Sequence, residues 1–369
     1  MLVAFSIVVA TVPHRWGRHQ ARPYLDGVDA PRALAAGVAR WIEDGLDEGR
    51  FSTGSPRFDG EWLFGTHVMA ALGFGQLAMA DAARAGEHLA RMDRALDAIR
   101  SPELRGFDRA AWGRDAFDAL DDPRGHVAFL GYYGLALALR RRLGEGPHDD
   151  VASAVASALT RRFEASDSGL VETYPREIYP VDNAAGIAAV ALHASAVGDE
   201  RPSVVDTWLE RLPRWLDRRS GLLVQAVATD GRTPVDEGRG SGTALAAYFL
   251  SFVDRDASRR LYEALTRSCY DEVLGFGAMR EYPHGADGRG DIDSGPLVFG
   301  YGISATGFAL ASAKTHGDRG RFEALYATAY LFGAPVSRDD ATSFVTGGPL
   351  GDAILFAMLT AHPVAEDAP

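Results

Sequence analysis

The chain holds a single cysteine, Cys269, in 369 residues. A lone thiol excludes an intramolecular disulfide and any metal site built on clustered cysteines. Positive charge is scarce as well: 38 Lys and Arg face 50 Asp and Glu, a formal net charge of −12. Phosphate backbones need a basic surface, and no Lys/Arg stripe interleaved with aromatics occurs, so nucleic acid is not an expected partner. The run Arg140, Arg141, Arg142 reads as a solvated helix end. Long apolar runs are also lacking. "MLVAFSIVVATVP" is apolar for about a dozen residues, short of the ~20 that span a bilayer, and no other stretch reads as long enough. It has no basic n-region and no small-x-small cleavage site, although Arg15, Arg18 and Arg22 follow it as positive flanks would. An anchor remnant, an export signal and a packed first helix all fit residues 1–25. Membrane contact through this segment stays open, as does the choice between a membrane-associated or exported and a cytoplasmic location.

Site signatures are absent too. There is no H-E-x-x-H and no cysteine pair, and "DGRGDIDSG" (287–295) lacks the ligand spacing and closing Glu of a calcium loop. No G-x-S-x-G occurs, and "GFGAMRE" follows a strand without feeding a helix. The expectation is a protein with no metal and no cofactor.

What is present is a 47% apolar chain with helical periodicity almost throughout. One helix type is amphipathic and charged on one side, near 31–45, 85–100, 149–165, 202–217, 256–269 and 319–331, as in "PRALAAGVARWIEDGL". The other is small and apolar nearly all round, near 61–79, 125–143, 183–196, 241–252, 303–315 and 348–361, as in "NAAGIAAVALHASA". A helix apolar on every side is enclosed by other helices. Strict alternation of six outer and six inner helices predicts an all-α fold, an (α/α)6 barrel spanning residues 26–362 as one domain. Inner-to-outer links are short, while outer-to-inner links are long and glycine-rich. "SGLVETYP" (168–175), "SGLLVQAVA" (220–228) and "LGFGAMREYP" (274–283) repeat at about fifty residues, each expected to hold a short strand. All inner helices therefore start at one end, where their free N–H groups and long loops converge on a mouth.

The loops bring carboxylates, histidines and tyrosines to that mouth. Glu61, Asp182, Tyr179 and Asp293 are the candidates for chemistry, with His126 paired to Asp182. Trp62, His67, Glu172, Tyr174, Arg176, Asn183, Arg239, Arg280, Asp291 and Tyr301 are the candidates for holding substrate. Plainer roles compete for several. Asp182 and Ser241 stand where N-caps belong, His67 and His126 suit hydrogen-bonded core histidines, and His284 suits the surface. Convergence at one end of a ring favours a site.

In order and spacing, "GHVAFLGYYGLALALRRRLG" (125–144), "YPVDNAAGIAAVALHASAVGD" (179–199), "SGTALAAYFLSFVDRDASRRLYEALTRSCYDE" (241–272) and "DIDSGPLVFGYGISATGFALASAKTHGD" (291–318) resemble the linalool dehydratase/isomerase family over about residues 110–335. The resemblance implies the same barrel, matches His126 to the family's mouth histidine, and matches Asp182-Asn183 to the pair opening its third inner helix. It also implies two cysteines in members with the named activity; Tyr179 and an alanine of "GIAAVA" stand there instead. Linalool is thus not the expected substrate. The barrel also resembles those of glycan-active lyases, epimerases and unsaturated uronyl hydrolases, and Trp62, Trp112, Tyr174, Tyr179 and Tyr301 would suit a sugar ring. The expected function is hydration, dehydration or isomerisation of a hydroxylated small molecule by acid–base catalysis. A glycan-active hydrolase or epimerase and a non-catalytic ligand-binding barrel are the alternatives.

Overall fold

The computed structural model describes residues 2–362, with the backbone alone for 2–11. In chain order its helices are α1 (Leu2–Asp26), α2 (Asp29–Glu43), α3 (Pro56–Ala80), α4 (Ala85–Ile99), α5 (Gly106–Trp112), α6 (Val127–Arg142) and α7 (Asp149–Glu164). Then come α8 (Pro180–Val197), α9 (Ser203–Arg211), α10 (Gly240–Leu250), α11 (Arg255–Cys269), α12 (Ile303–Thr315), α13 (Arg319–Gly333) and α14 (Gly348–Thr360). Helices α3, α6, α8, α10, α12 and α14 each pack on the next, and α14 returns to α3, closing an inner ring. The charged helices α2, α4, α7, α9, α11 and α13 stand outside, giving the (α/α)6 barrel.

The inner helices close because small residues let them approach. A Cβ on Gly131 of α6 would lie 3.0 Å from the Gly186 nitrogen of α8, and one on Gly186 would meet the Phe163 ring at 3.0 Å. Buried aromatics fill the remaining space, as where Phe74 of α3 meets Phe356 of α14 edge-on at 5.0 Å. Helix α3 does meet the length and hydropathy of a membrane span, contrary to expectation, yet 83% of that window is buried in the ring.

Three two-stranded hairpins lie in the outer-to-inner links: β1 (Tyr270–Val273) with β2 (Phe276–Met279), β3 (Leu297–Val298) with β4 (Tyr301–Gly302), and β5 (Pro335–Arg338) with β6 (Ala341–Phe344). Of the three glycine-led openings, the third becomes β2, while the other two form only isolated bridges such as Ile178 with Val227. The glycines still repeat as a backbone device: Gly169, Gly221 and Gly275 have φ of 89°, 74° and 84°, a left-handed bend that other residues adopt at a cost. The helix expected over 202–217 stops at Arg211 and continues as a 3-10 turn through Trp215, because Pro213 has no N–H to donate.

Residues 2–26, for which an anchor remnant, an export signal and a packed helix were all open, form one helix, α1, whose second half joins the barrel. Asp26 pairs with Arg319, Arg22 with Glu323, a Cβ on Gly17 would touch Ala327, and Trp16 Nε1 donates to the Tyr330 hydroxyl at 3.2 Å. These contacts set α1 antiparallel on α13, with Ala21 and Tyr24 buried. Met1 and the side chains of 2–11 lie outside the described residues.

Candidate functional site

The close approach of α6 and α8 at Gly131 and Gly186 sets Tyr132 beside the first turn of α8, where its hydroxyl donates to Asp182 Oδ1 at 2.9 Å. Asp182 is the third residue of α8, yet its side chain caps no N–H. Burial pushes its pKa up to about 7, the charge of Asp293 adds to this, and hydrogen bonds from Tyr132 and Thr173 oppose it. Glu61, in the second turn of α3, accepts from the Tyr174 hydroxyl at 2.8 Å. Its carboxyl is pushed up to about 8, chiefly by burial and then by Asp293 and Asp182, against that bond and Arg57. Asp293 is an exposed residue, yet close enough to Glu61 and Asp182 for its charge to reach both, as across the mouth of a shared well. It rises to about 6 through burial and the neighbouring charge of Asp291, with Arg239, Arg57 and a 3.2 Å bond from Gln225 Nε2 opposing. Three carboxyls thus feel one another's charge across one well.

The polar lining is held in place from behind. Arg57 lies 3.6 Å over the Tyr174 ring and pairs with Glu177 at 3.3 Å, and Glu177 also accepts from the Tyr179 hydroxyl at 3.0 Å. Tyr132, Tyr174 and Tyr179 are all raised above the usual phenol range, first by burial and then by nearby carboxylates, so they stay neutral donors. Asp291 takes the turn-capping work, accepting from the Asp293 and Ser294 nitrogens at 3.1 and 2.9 Å, so the Asp293 carboxyl does no capping. Arg239 ties the turn down by pairing with Asp291 and Asp236. Outside the well, Trp62, Ser52, Thr53 and the 288–297 loop border a cleft of about 520 Å³.

Glu61, Asp182, Asp293, Tyr174 and Tyr179 are therefore brought together, with Trp62, Arg239 and Asp291 at the rim. The expected His126–Asp182 pair does not form. His126 opens α6 in a left-handed conformation, φ 63°, and its Nδ1 sits 2.7 Å from Asp108 of α5, with the ring stacked on Trp112 at 4.7 Å. Burial raises Asp108. His67 is buried in α3 with Nδ1 2.9 Å from the Leu63 carbonyl, which answers to a core histidine. Asn183 is fully buried and clasps the third loop, accepting from Val171 N at 2.7 Å and donating to the Val171 and Tyr179 carbonyls at 3.1 and 3.0 Å. That is a structural role, not contact with a substrate. Glu172 is half-buried and accepts from Arg176 N, while Arg176 is an exposed turn residue with φ 67°. Arg280 and Tyr301 pair with Asp287 and Asp271 on the flank of the β hairpins. The only cysteine is fully buried in α11, its thiol pushed up to about 12 by burial, so it offers no thiolate.

Sequence reasoning passed over Tyr132, Arg57 and Gln225. Only Tyr132 carries a readable signal, a polar-tipped residue one and a half turns into an otherwise apolar inner helix.

A barrel with acids and phenols converging on one end of its ring defines an enzyme-like α/α barrel. The family model described as "Linalool dehydratase/isomerase" matches residues 141–346, and the chain belongs to that family. No curated protein sequence matches. Among solved structures, a D-mannose isomerase superposes with a TM-score of 0.52 at 11% identity, covering 79% of this chain and 85% of that one. The unsaturated glucuronyl hydrolase of Bacillus sp. GL1 gives 0.52 at 13% identity, covering 90% and 95%. Dfg5 from Chaetomium thermophilum, in complex with glucosamine, gives 0.52 at 14%, covering 91% of each. At such identities the likeness is one of fold.

Proposed function

We propose that this barrel is an acid–base enzyme that adds or removes water, or isomerises, at a hydroxylated carbon. The observation that carries the reading is the trio Glu61, Asp182 and Asp293 around one well, with acidities spread across neutrality, about 8, 7 and 6. Carboxyls pushed apart by their surroundings serve as separate acid and base at one pH. At pH 7 Glu61 keeps its proton and Asp293 has lost its own. In dehydration, Glu61 gives its proton to the departing hydroxyl, which leaves as water. Asp293 takes a proton from the neighbouring carbon, and the C–H electron pair becomes the new C=C bond. Asp182, close to its midpoint, relays the proton from Asp293 back to Glu61. Hydration runs the same steps in reverse. The phenols of Tyr132, Tyr174 and Tyr179 donate hydrogen bonds and never need to ionise.

A second reading, a glycan-active hydrolase or epimerase, draws on the fold shared with a mannose isomerase and a glucuronyl hydrolase and on Trp62 at the cleft, a surface for a sugar ring. Turnover in D2O separates the readings. Small alcohols and alkenols are offered in one series, aldoses and unsaturated uronyl disaccharides in another, with mass spectrometry of the products. Deuterium on carbon in the first series is expected, lost in Glu61→Gln and Asp293→Asn. The rate should rise as Asp293 ionises near pH 6 and fall as Glu61 does near 8. Exchange or cleavage in the sugar series alone transfers the site to the second reading. No turnover in either series refutes both and leaves a binding barrel.

A further inference from the structure

Twelve large apolar side chains stand exposed among the described residues, and every one belongs to α1 or to the mouth-side half of the chain from Val235 to Val345. None lies on the links at the opposite end of the barrel. Scattered exposed apolar residues are ordinary, but confinement to one face is the mark of an interaction surface. Two of them sit at hairpin tips built alike, "VLGF" (273–276) and "VFGY" (298–301). Leu274 has φ 51° and is 68% exposed; Phe299 has φ 54° and is 92% exposed. A two-residue hairpin turn with positive φ prefers Asn or Asp at this position, because a bulky side chain is strained there. The third hairpin follows that preference with Asp339 (φ 56°), and its neighbour Asp340 pairs with Arg40 of α2. The fold thus has the ordinary solution available, and at two tips it holds Leu and Phe in strained, solvent-facing positions instead.

Helix α1 points the same way. Its contacts run antiparallel to α13, and Arg18 reaches the β1–β2 turn, donating to the Gly275 carbonyl at 2.9 Å, so its N-terminal half rises on the mouth side. α13 ends at Gly333, with Leu331 and Phe332 exposed at its close. At the observed register, the residues of α1 before Val12 rise beyond that end by about 15 Å at 1.5 Å per residue. Their sequence is "LVAFSIVVAT".

We propose that the mouth face docks on a lipid surface, with α1 and the two apolar hairpin tips inserted in it. The patch is a set of separate protrusions rather than a groove, which suits insertion among acyl chains better than a complementary protein. Arg15 of α1 and Arg289 and Arg338 of the loops are exposed on this face, but Asp287, Asp339 and Asp340 share it and offset their charge, so the attraction is apolar and not to anionic headgroups. The inference stands apart from the chemistry of the well, and its test needs no substrate.

The test is flotation of the full chain with vesicles of phosphatidylcholine alone, at 0.1 and 1 M salt, beside Phe299→Asp and the triple variant Leu274→Asp, Phe299→Asp, Phe332→Asp. Circular dichroism reports folding; all three positions are exposed, and the single variant alters one turn. The wild type should float equally at both salts. The single variant should lose several-fold in partition and the triple variant on the order of 100-fold. A wild type that stays unbound, or a triple variant that floats as well as the wild type, overturns the proposal. So does an unbound wild type that dimerises with concentration through these same side chains, which would assign the face to a second copy of the chain.

Discussion

Glu61 offers a test that needs no substrate. Its folded-state acidity lies at about 8, against 4.5 for an ordinary glutamate. The native state therefore binds a proton that the unfolded chain has released over that whole interval, and the protein loses stability as pH rises from about 4.5 to about 8. Below that window the group favours the fold in full. At about 1.4 kcal/mol per tenfold change in proton affinity, the loss is at most about 5 kcal/mol. Glu61 is half-buried and faces a well open to water, which reduces this to about 2 kcal/mol. Glu61→Gln keeps the shape and the acceptor for the Tyr174 hydroxyl without the titration. At pH 4.5 variant and wild type should melt together. At pH 8.5 the variant should melt about 3 °C higher, from about 1–2 °C per kcal/mol for a chain of this length. Thermal melts by circular dichroism at the two pH values supply the double difference. A gap that does not change with pH, or a variant less stable at pH 8.5, would refute the reasoning that burial holds Glu61 neutral.

Tyr132→Phe removes the donor that favours the charge on Asp182, so the Asp182 pKa should move further up, seen as an upward shift of its carboxyl 13C titration in NMR. Asn183→Ala leaves the Val171 N–H and two carbonyls without a partner in a fully buried position, and should cost about 2–4 kcal/mol in urea unfolding. If Asn183 instead touched substrate, stability would hold and only turnover would suffer.

The ring was legible because its signal is periodic: inner helices apolar all round and outer ones striped differ in a way that any register preserves. The glycine-led openings were legible for a similar reason, since a left-handed bend demands the same residue each time. The carboxyls Glu61, Asp182 and Asp293 could be placed at the mouth from their positions at helix starts and in loops. Their partners could not. His126 turned to Asp108 because "GFDRAAW" folds as α5, an extra short helix with too few turns to show a period. Asn183 stood among the candidates for holding substrate beside Asp182, but adjacent residues on a helix point about 100° apart, and one met the loop backbone while the other met the well. Gln225 arrives from a loop whose path is decided by packing alone, and Arg57 from the first turn of α3, which starts ahead of the helix expected near 61.

The ring also has a seam. Helix α3 buries an apolar window against neighbours that include α14, the last of the twelve to be made during synthesis. Until α14 arrives, the five earlier hairpins form an open arc with the α14-facing side of α3 uncovered, including Phe74, which awaits Phe356. The nascent chain must therefore shelter a stretch greasy enough to pass for a membrane span until the sixth inner helix is made. Closure of the circle is a single late event, and it draws on contacts between the two ends of the barrel sequence. Aggregation during synthesis, rather than unfolding afterwards, is where substitutions along the α3–α14 seam should first be felt.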